Sequence, residues 1–440
     1  MRRLISLLRT WGTYTVMVAV YALARYWANA GHSPARFPDS LGYQTVRFFG
    51  TSERLWAVPF LYSLAHNDFQ RVVLQIAVGV AAWAYLAWVL ASVSRFRVSA
   101  MTVVFVVGLT PQVIRYDLAI LSESLGISLA VVAVATTVHL SRTRSQTVRF
   151  AWCTSVVLVG FTRPIHLLVI FTITLYYVAT YLLSRRNRRK ASTIAFGLLS
   201  VWGVMQLQGN QSESTLNFYT ILQQRICADS SQYAWFTARG MPDIPGVCNA
   251  RGYAYAFEMK NTVGEILQLP EGQQPLQSMI VGDVELATWV RDHGWNTYLQ
   301  YVFAHPGTVV TLLRKHATHT LDATSQQFLP TDSRTVLPYQ LVNPWWLWAT
   351  LGVACSVMGA RHSRLIRMLT ASAGLLAVVY AGTLLTSAVE IQRHAATSSV
   401  LLRVLVLVSI AAATAGPTLT RSDESFDEHG ASSSRGTQKI

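Results

Sequence analysis

What most constrains this chain is the alternation of long apolar runs with short breaks that carry arginines. The runs extend from about Gly12 to Ala30, Val72 to Ser94, Met101 to Ile114, Leu118 to Leu140, Phe150 to Thr162, Ile165 to Leu183, Ala191 to Leu207, Leu347 to Gly359, Met368 to Ala388 and Val400 to Ala415. Runs of this length approach the roughly 20 residues that cross a bilayer as a helix. In hydrocarbon every backbone N–H and C=O must be satisfied within its own segment, so such runs become helices. Only 13% of the 440 residues are charged, about half the share of a water-soluble chain. The expected fold is an all-α polytopic membrane protein of about ten transmembrane helices.

The breaks fix the sidedness. Arg95 and Arg97, then Arg142, Arg144 and Arg149, the cluster RRNRRK at 185–190, and Arg361, Arg364 and Arg367 alternate with breaks that hold the acids. Every Asp and Glu before the tail at Thr418 falls on the opposite side, or at a helix end facing it. Cytoplasmic loops are enriched in Lys and Arg, so the arginine side is read as the cytoplasm and both termini are placed there, in a cell membrane. The net charge of +15 is then a consequence of topology, and nucleic acid is not expected as a partner. The first run ends in Ala28-Asn29-Ala30, a small-x-small pattern that reads either as a retained anchor or as a cleaved signal. Residues 31–70 lie outside on either reading.

Four regions result: a seven-span module at 1–207, an extracytoplasmic domain of mixed structure at 208–341, a three-span module at 342–416, and a disordered cytoplasmic tail at 417–440. Helices are expected around 215–228 and 283–323 of the external domain, and Trp345, Trp346 and Trp348 mark an interfacial belt where the chain re-enters the membrane. Cys227 and Cys248 lie outside, in a compartment that permits a disulfide across about twenty residues, whereas Cys153 and Cys355 sit in spans as small apolar fillers. His305, His316, His319 and Asp322 are close in sequence but give no firm metal spacing. YAWFTARGMP (233–242) and WVRDHGWNTYLQYVFAHP (289–306) suit either a sugar-facing surface or one lying on headgroups. No P-loop, dinucleotide or zinc spacing is present.

Embedded polar residues return to the outer face: Asp39 after the first run, Arg115, Asp117 and Glu123 between the third and fourth, Arg163 between the fifth and sixth, and Glu390, Arg393 and His394 between the ninth and tenth. A charge near the middle of a span costs about 2 to 3 kcal/mol and less toward the interface, so several on one face suggest a shared site. An acid in the first outer loop (FPDSLGYQTVRFFG), LSESLGISL at 121–129, GFTRPIHLL at 160–168 and EIQRHA at 390–395 together resemble the GT-C integral membrane glycosyltransferases, across roughly residues 1–205 and 342–416. That resemblance implies a GT-C-like fold and transfer of a sugar from a polyprenyl-phosphate carrier to a glycan, lipid or protein acceptor at the outer face, in cell-wall biogenesis and with inversion.

The chemistry suits these residues. A carboxylate beside the acceptor hydroxyl can take its proton, a role expected of Asp39. Fixed cations stabilise the departing phosphate more as its charge develops, a role expected of Arg163, Arg393 and His394, with Arg115 behind them. Many GT-C enzymes carry two adjacent acids in the first loop, whereas Asp39 is followed by Ser40. A second acid would have to be Glu123, Asp117 or Glu390. A divalent metal is compatible with such acids, but no tightly held cofactor is expected. Tyr43, one helical turn after Asp39, reads as a sugar-stacking residue or as an interfacial tyrosine. Three further readings stay open: a polymerase or ligase of lipid-linked glycans, a lipid or sugar transporter, and a non-catalytic membrane scaffold.

Overall fold

The computed structural model describes residues 2–50, 54–143, 145–183, 190–209, 211–244, 246–250, 283–323, 331–359, 363–388 and 390–414. In chain order its helices are α1 (Arg2–Asn29), α2 (Ala57–Tyr62), α3 (Asp68–Val93), α4 (Arg97–Gly108), α5 (Pro111–Ile114), α6 (Glu123–Leu140), α7 (Gln146–Gly160), α8 (Leu167–Leu183) and α9 (Lys190–Gly209). They continue with α10 (Gln211–Ile221), α11 (Ser230–Thr237), α12 (Val284–Trp289), α13 (Trp295–Ala304), α14 (Pro306–Leu321), α15 (Trp345–Gly359), α16 (Arg364–Thr386) and α17 (Ile391–Thr414). Among the described residues there is no strand, only an isolated parallel bridge between Ala35 and Ala119. The protein is a polytopic helical membrane protein. The RRNRRK arginines at 185–189, Arg144, Arg361 and the tail lie outside the described residues.

Seven helices, α3, α6, α8, α9, α15, α16 and α17, are long and apolar enough to cross a membrane, and α4 with α5 adds an eighth if the bent pair is one span. The sequence suggests ten. Each of the ten runs contains a helix, but α1 is diluted by Thr, Tyr, Trp and Arg25, and α7 is only 15 residues long. The α4–α5 pair is bent by 55° at Thr110-Pro111. Proline removes a helical donor and drives the residue before it into extended geometry, and Thr110 has ψ 153°.

The helices α6 and α17 form the centre. Of their apolar windows 67% and 72% lie buried, against 17% for α8 and for α9 and 11% for α15. A helix apolar on all sides is buried on all sides, which describes α6. In α17 the small residues Ala395, Ala396, Ser398 and Ser399 let neighbouring backbones approach closely. Around this pair α3 packs on α4 and α6, α7 on α6, and α15 and α16 on α17.

The run expected to begin at Leu118 becomes helical only at Glu123. Residues 117–121 are a buried irregular segment whose backbone groups find partners elsewhere. Gln75 Nε2 donates to Asp117 O at 3.1 Å and Ala119 O at 3.0 Å, Tyr62 Oη to Leu121 O at 2.6 Å, and Ile120 N to Ala35 O at 3.0 Å. Irregular backbone survives at this depth only when it is satisfied in this way.

In the 208–341 stretch the described residues are helices, turns and extended chain. A core of Phe218, Leu222, Phe236, Trp289, Tyr298 and Tyr301 holds them together. The aromatic residues of 233–242 and 289–306 thus supply much of this core. Cys227 and Cys248 form a disulfide with Cα atoms 5.1 Å apart. Among the contacts that fasten the stretch to the bundle, α14 packs on α17, and Arg225 caps the end of α16, donating to Leu385 O at 3.1 Å and to Leu384 O and Ser387 O. Those carbonyls have no partner within their own helix, and a cation at a helix C-terminus suits its dipole.

Candidate functional site

Asp39 sits on a 3₁₀ turn, Pro38–Tyr43, set by the fixed φ of proline and closed by Ser40, whose Oγ accepts from Phe37 N at 2.8 Å. The position where the resemblance would favour a second acid therefore carries the residue that shapes the turn. Asp39 Oδ1 accepts from Arg54 Nη2 at 2.9 Å and Oδ2 from Arg393 Nη2 at 2.7 Å. Tyr43, on the same turn, is buried, meets Tyr62 edge-on, and lies with its ring 5.4 Å from the Arg54 guanidinium carbon.

Arg393, at the start of α17, joins three chain segments. Its Nη2 reaches Asp39, its Nε reaches Glu123 Oε1, and its Nη1 reaches Glu390 Oε2. Glu123 begins α6, is fully buried, and also receives Arg163 Nη2 at 3.0 Å. Arg163 precedes the 3₁₀ turn Pro164–His166 and turns Nη1 toward His394 O at 3.5 Å. Glu390 has φ +52°, a left-handed conformation that non-glycine residues adopt at a cost and that concentrates at functional sites. His394 Nε2 lies 3.8 Å from Glu390 Oε2. Three carboxylates thus face three guanidiniums at one end of the bundle.

A partly open cavity of about 70 Å³ lies against this cluster. Asp39, Tyr43, Arg54, Arg163, Arg393 and His394 line it, together with Thr162, Pro164, Thr383, Thr386 and Asn217 of α10. One water needs on the order of 10 to 15 Å³ by this measure, so the cavity holds a group the size of a phosphate rather than a whole lipid-linked sugar. Burial works against charge on Asp39, but Arg54 and Arg393 outweigh it and hold the carboxyl well below the usual range. Burial pushes Glu390 the other way, above its ordinary value, although Arg393 opposes this. Two acids paired with one arginine therefore differ in proton affinity because Asp39 has a second cation beside it.

Of the residues expected from sequence, Asp39, Tyr43, Glu123, Arg163, Glu390, Arg393 and His394 come together. Asp117 does not join them: it is fully buried and accepts from Arg25 Nε and Nη2 at 2.7 Å each and from Ser124 Oγ at 2.7 Å. Arg115 does not line the cavity, and its carbonyl accepts from Thr331 Oγ1 at 3.0 Å. His305 stacks on Tyr301, His319 Nδ1 faces Gln392 at 3.1 Å, and Asp322 accepts from Trp345 N at 2.6 Å, so these three have separate surroundings. Arg54 and Asn217 are the additions. Arg54 is one of three arginines in the first loop, with Arg36 and Arg47, and nothing in local spacing distinguishes it. No protein-family model matches the chain, and no curated protein or solved structure matches it either.

Proposed function

We propose that this protein is a membrane glycosyltransferase of the GT-C type, transferring a sugar from a polyprenyl-phosphate carrier to a glycan, lipid or protein acceptor. The observation that supports this reading most is the convergence of Asp39, Arg163, Arg393 and His394, from three distant parts of the chain, on one cavity of phosphate size, with Glu123 buried behind the two arginines. In the proposed reaction the acceptor oxygen bonds to the anomeric carbon and the bond from that carbon to the phosphate oxygen breaks. The electron pair stays with the phosphate, and the hydroxyl proton passes to Asp39. Cations close to the leaving oxygen favour the transition state, where its charge grows.

The finer topology belongs to the same proposal. Contacts alternate between two bundle ends: one holds the acid cluster, the other Arg142, whose Nη1 donates to Ser92, with His139 and Tyr85 nearby. Ten crossings in a cell membrane, with the cluster end and residues 208–341 outside and both termini in the cytoplasm, agree with this alternation. The test is transfer from radiolabelled polyprenyl-phosphate sugars by membranes carrying wild-type protein or Asp39→Asn at equal abundance. A loss of about a hundredfold or more is expected for removal of a general base. Unchanged transfer by the variant would remove Asp39 from that role.

A further inference from the structure

The three arginines at the cavity are not equivalent. Arg393 is 3% exposed and directs each of its three nitrogens at a different carboxylate. Arg163 commits Nη2 to Glu123, which is wholly buried. Taking either from its acid would leave a buried carboxylate short of a cation, a large penalty. Arg54 reaches Asp39 instead, and both are more open, 17% and 25% exposed. An incoming anion displaces Arg54 from Asp39 at the least cost, because Asp39 keeps Arg393.

The backbone that follows Arg54 is fixed while its head lines the cavity. Leu55 is 2% exposed, Trp56 stacks on Trp202 with ring centroids 5.2 Å apart, and Ala57 N donates to Phe161 O at 3.4 Å. A shift from carboxylate to anion is therefore a side-chain movement that leaves Leu55, Trp56 and Ala57 in place. A guanidinium grips phosphate oxygens through paired N–H donors as readily as it grips a carboxylate.

We propose that a phosphate group entering the cavity takes Arg54 from Asp39, so that the carboxylate is freed to accept a proton only once the phosphate is in place. This inference rests on the sugar-phosphate reading above, in which the phosphate is that of the donor. It resolves a difficulty of the resting arrangement, where a carboxylate clamped by two arginines is a weak base. During transfer the proton of the acceptor hydroxyl goes to Asp39 Oδ1, the oxygen Arg54 has left, and the arginine stays with the departing phosphate.

The test is a double-mutant cycle on phosphate binding, with full-length protein in lipid nanodiscs and geranyl phosphate as the probe. Asp39→Asn is expected to bind the probe about tenfold tighter, since Asp39 no longer competes for Arg54, and Arg54→Gln about tenfold weaker. In the Arg54→Gln background, Asp39→Asn should tighten binding by less than about threefold. Equal tightening in both backgrounds means simple removal of a negative charge and overturns the exchange, as do weaker binding by Asp39→Asn and an absence of binding by the wild type. Arg54→Lys replaces Arg54→Gln in the cycle if the latter fails to fold. A wild type that shows the coupling but transfers no sugar refutes the glycosyltransferase reading alone. Active wild type with an additive cycle refutes the exchange alone.

Discussion

Replacing Arg393 with Gln removes the one cation that touches Asp39, Glu123 and Glu390 together. Breaking a buried ion pair by deleting one partner costs about 3 to 5 kcal/mol, because the other charge stays behind without compensation. Here the largest share falls on Glu123, which is fully buried and retains only part of its cationic neighbourhood in Arg163 at 3.0 Å. Asp39 keeps Arg54 and is partly exposed, so solvent limits its contribution. A destabilisation of about 3 to 5 kcal/mol at pH 7 is therefore expected, read from reversible unfolding of the protein in detergent micelles.

Its pH dependence follows from the sign of each shift. In the wild type the depressed pKa of Asp39 gives stability that is present above the unfolded value near 4 and is lost as pH falls through the folded value. Without Arg393, burial acts on Glu390 with less opposition and raises it further, while Asp39 is held down by one arginine, Arg54, instead of two, so the penalty is full at neutral pH and is lost as these acids protonate. The gap between wild type and variant should thus narrow steadily from pH 7 toward pH 4. Arg393→Lys should recover only part of it, since a single ammonium cannot meet three carboxylates along three fixed directions. A cost below about 1 kcal/mol, the level of an exposed pair, or a gap that widens in acid would refute this account of the cluster.

Other perturbations test separate parts of the structure. Asp117→Asn leaves Arg25 buried without its counter-ion, and a loss of about 3 to 5 kcal/mol in the same unfolding measurement is expected, with the phosphate affinity of the cavity changed less than about threefold. Gly79→Ala places a methyl against the Arg25 guanidinium, so a loss of about 1 to 3 kcal/mol is expected, and it should shrink when combined with Arg25→Met. Reducing the Cys227–Cys248 bond, which spans 21 residues, should lower stability by about 2 to 4 kcal/mol. A limited-proteolysis time course should then show cleavage in 211–250 before any in the bundle. On the proposed reaction, with Asp39 held by two arginines before phosphate binds, the acid limb of kcat/KM should lie below pH 4, and the limb of kcat should lie higher than that of kcat/KM if Arg54 moves to the phosphate.

The fold class was legible because apolar run length is a property of the chain itself. The convergence on one face was legible through charge: the breaks that hold the acids alternate with those that hold arginine clusters, and Asp39, Glu123 and Glu390 come from the former, as does Arg163 by its place in the alternation. Pairing was not legible. Asp117 and Glu123 look alike in sequence, six residues apart and flanked by apolar runs, yet Asp117 belongs to Arg25 and Glu123 to the cavity cluster. Which acid meets which arginine depends on the irregular turn at 117–121, which replaces the first turn of the expected helix. That turn is fixed by Gln75 and Tyr62, residues far from it along the chain. Arg54 was missed for the same reason, since its importance comes from Asp39 and not from its own neighbours.

The Arg25–Asp117 pair also bears on how the protein is made. The two residues are 92 positions apart. At about 5 to 20 residues per second the ribosome needs roughly five to twenty seconds to supply the aspartate after the arginine. Through that interval Arg25 has no Asp117 to pair with, and its long stem lets the guanidinium reach toward a polar layer. Drawing the guanidinium inward against Gly79 becomes favourable only when Asp117 arrives. The earlier member of the pair therefore locks into place only when the later one arrives, and nascent chains truncated before Asp117 should leave α1 free to be captured by insertion chaperones.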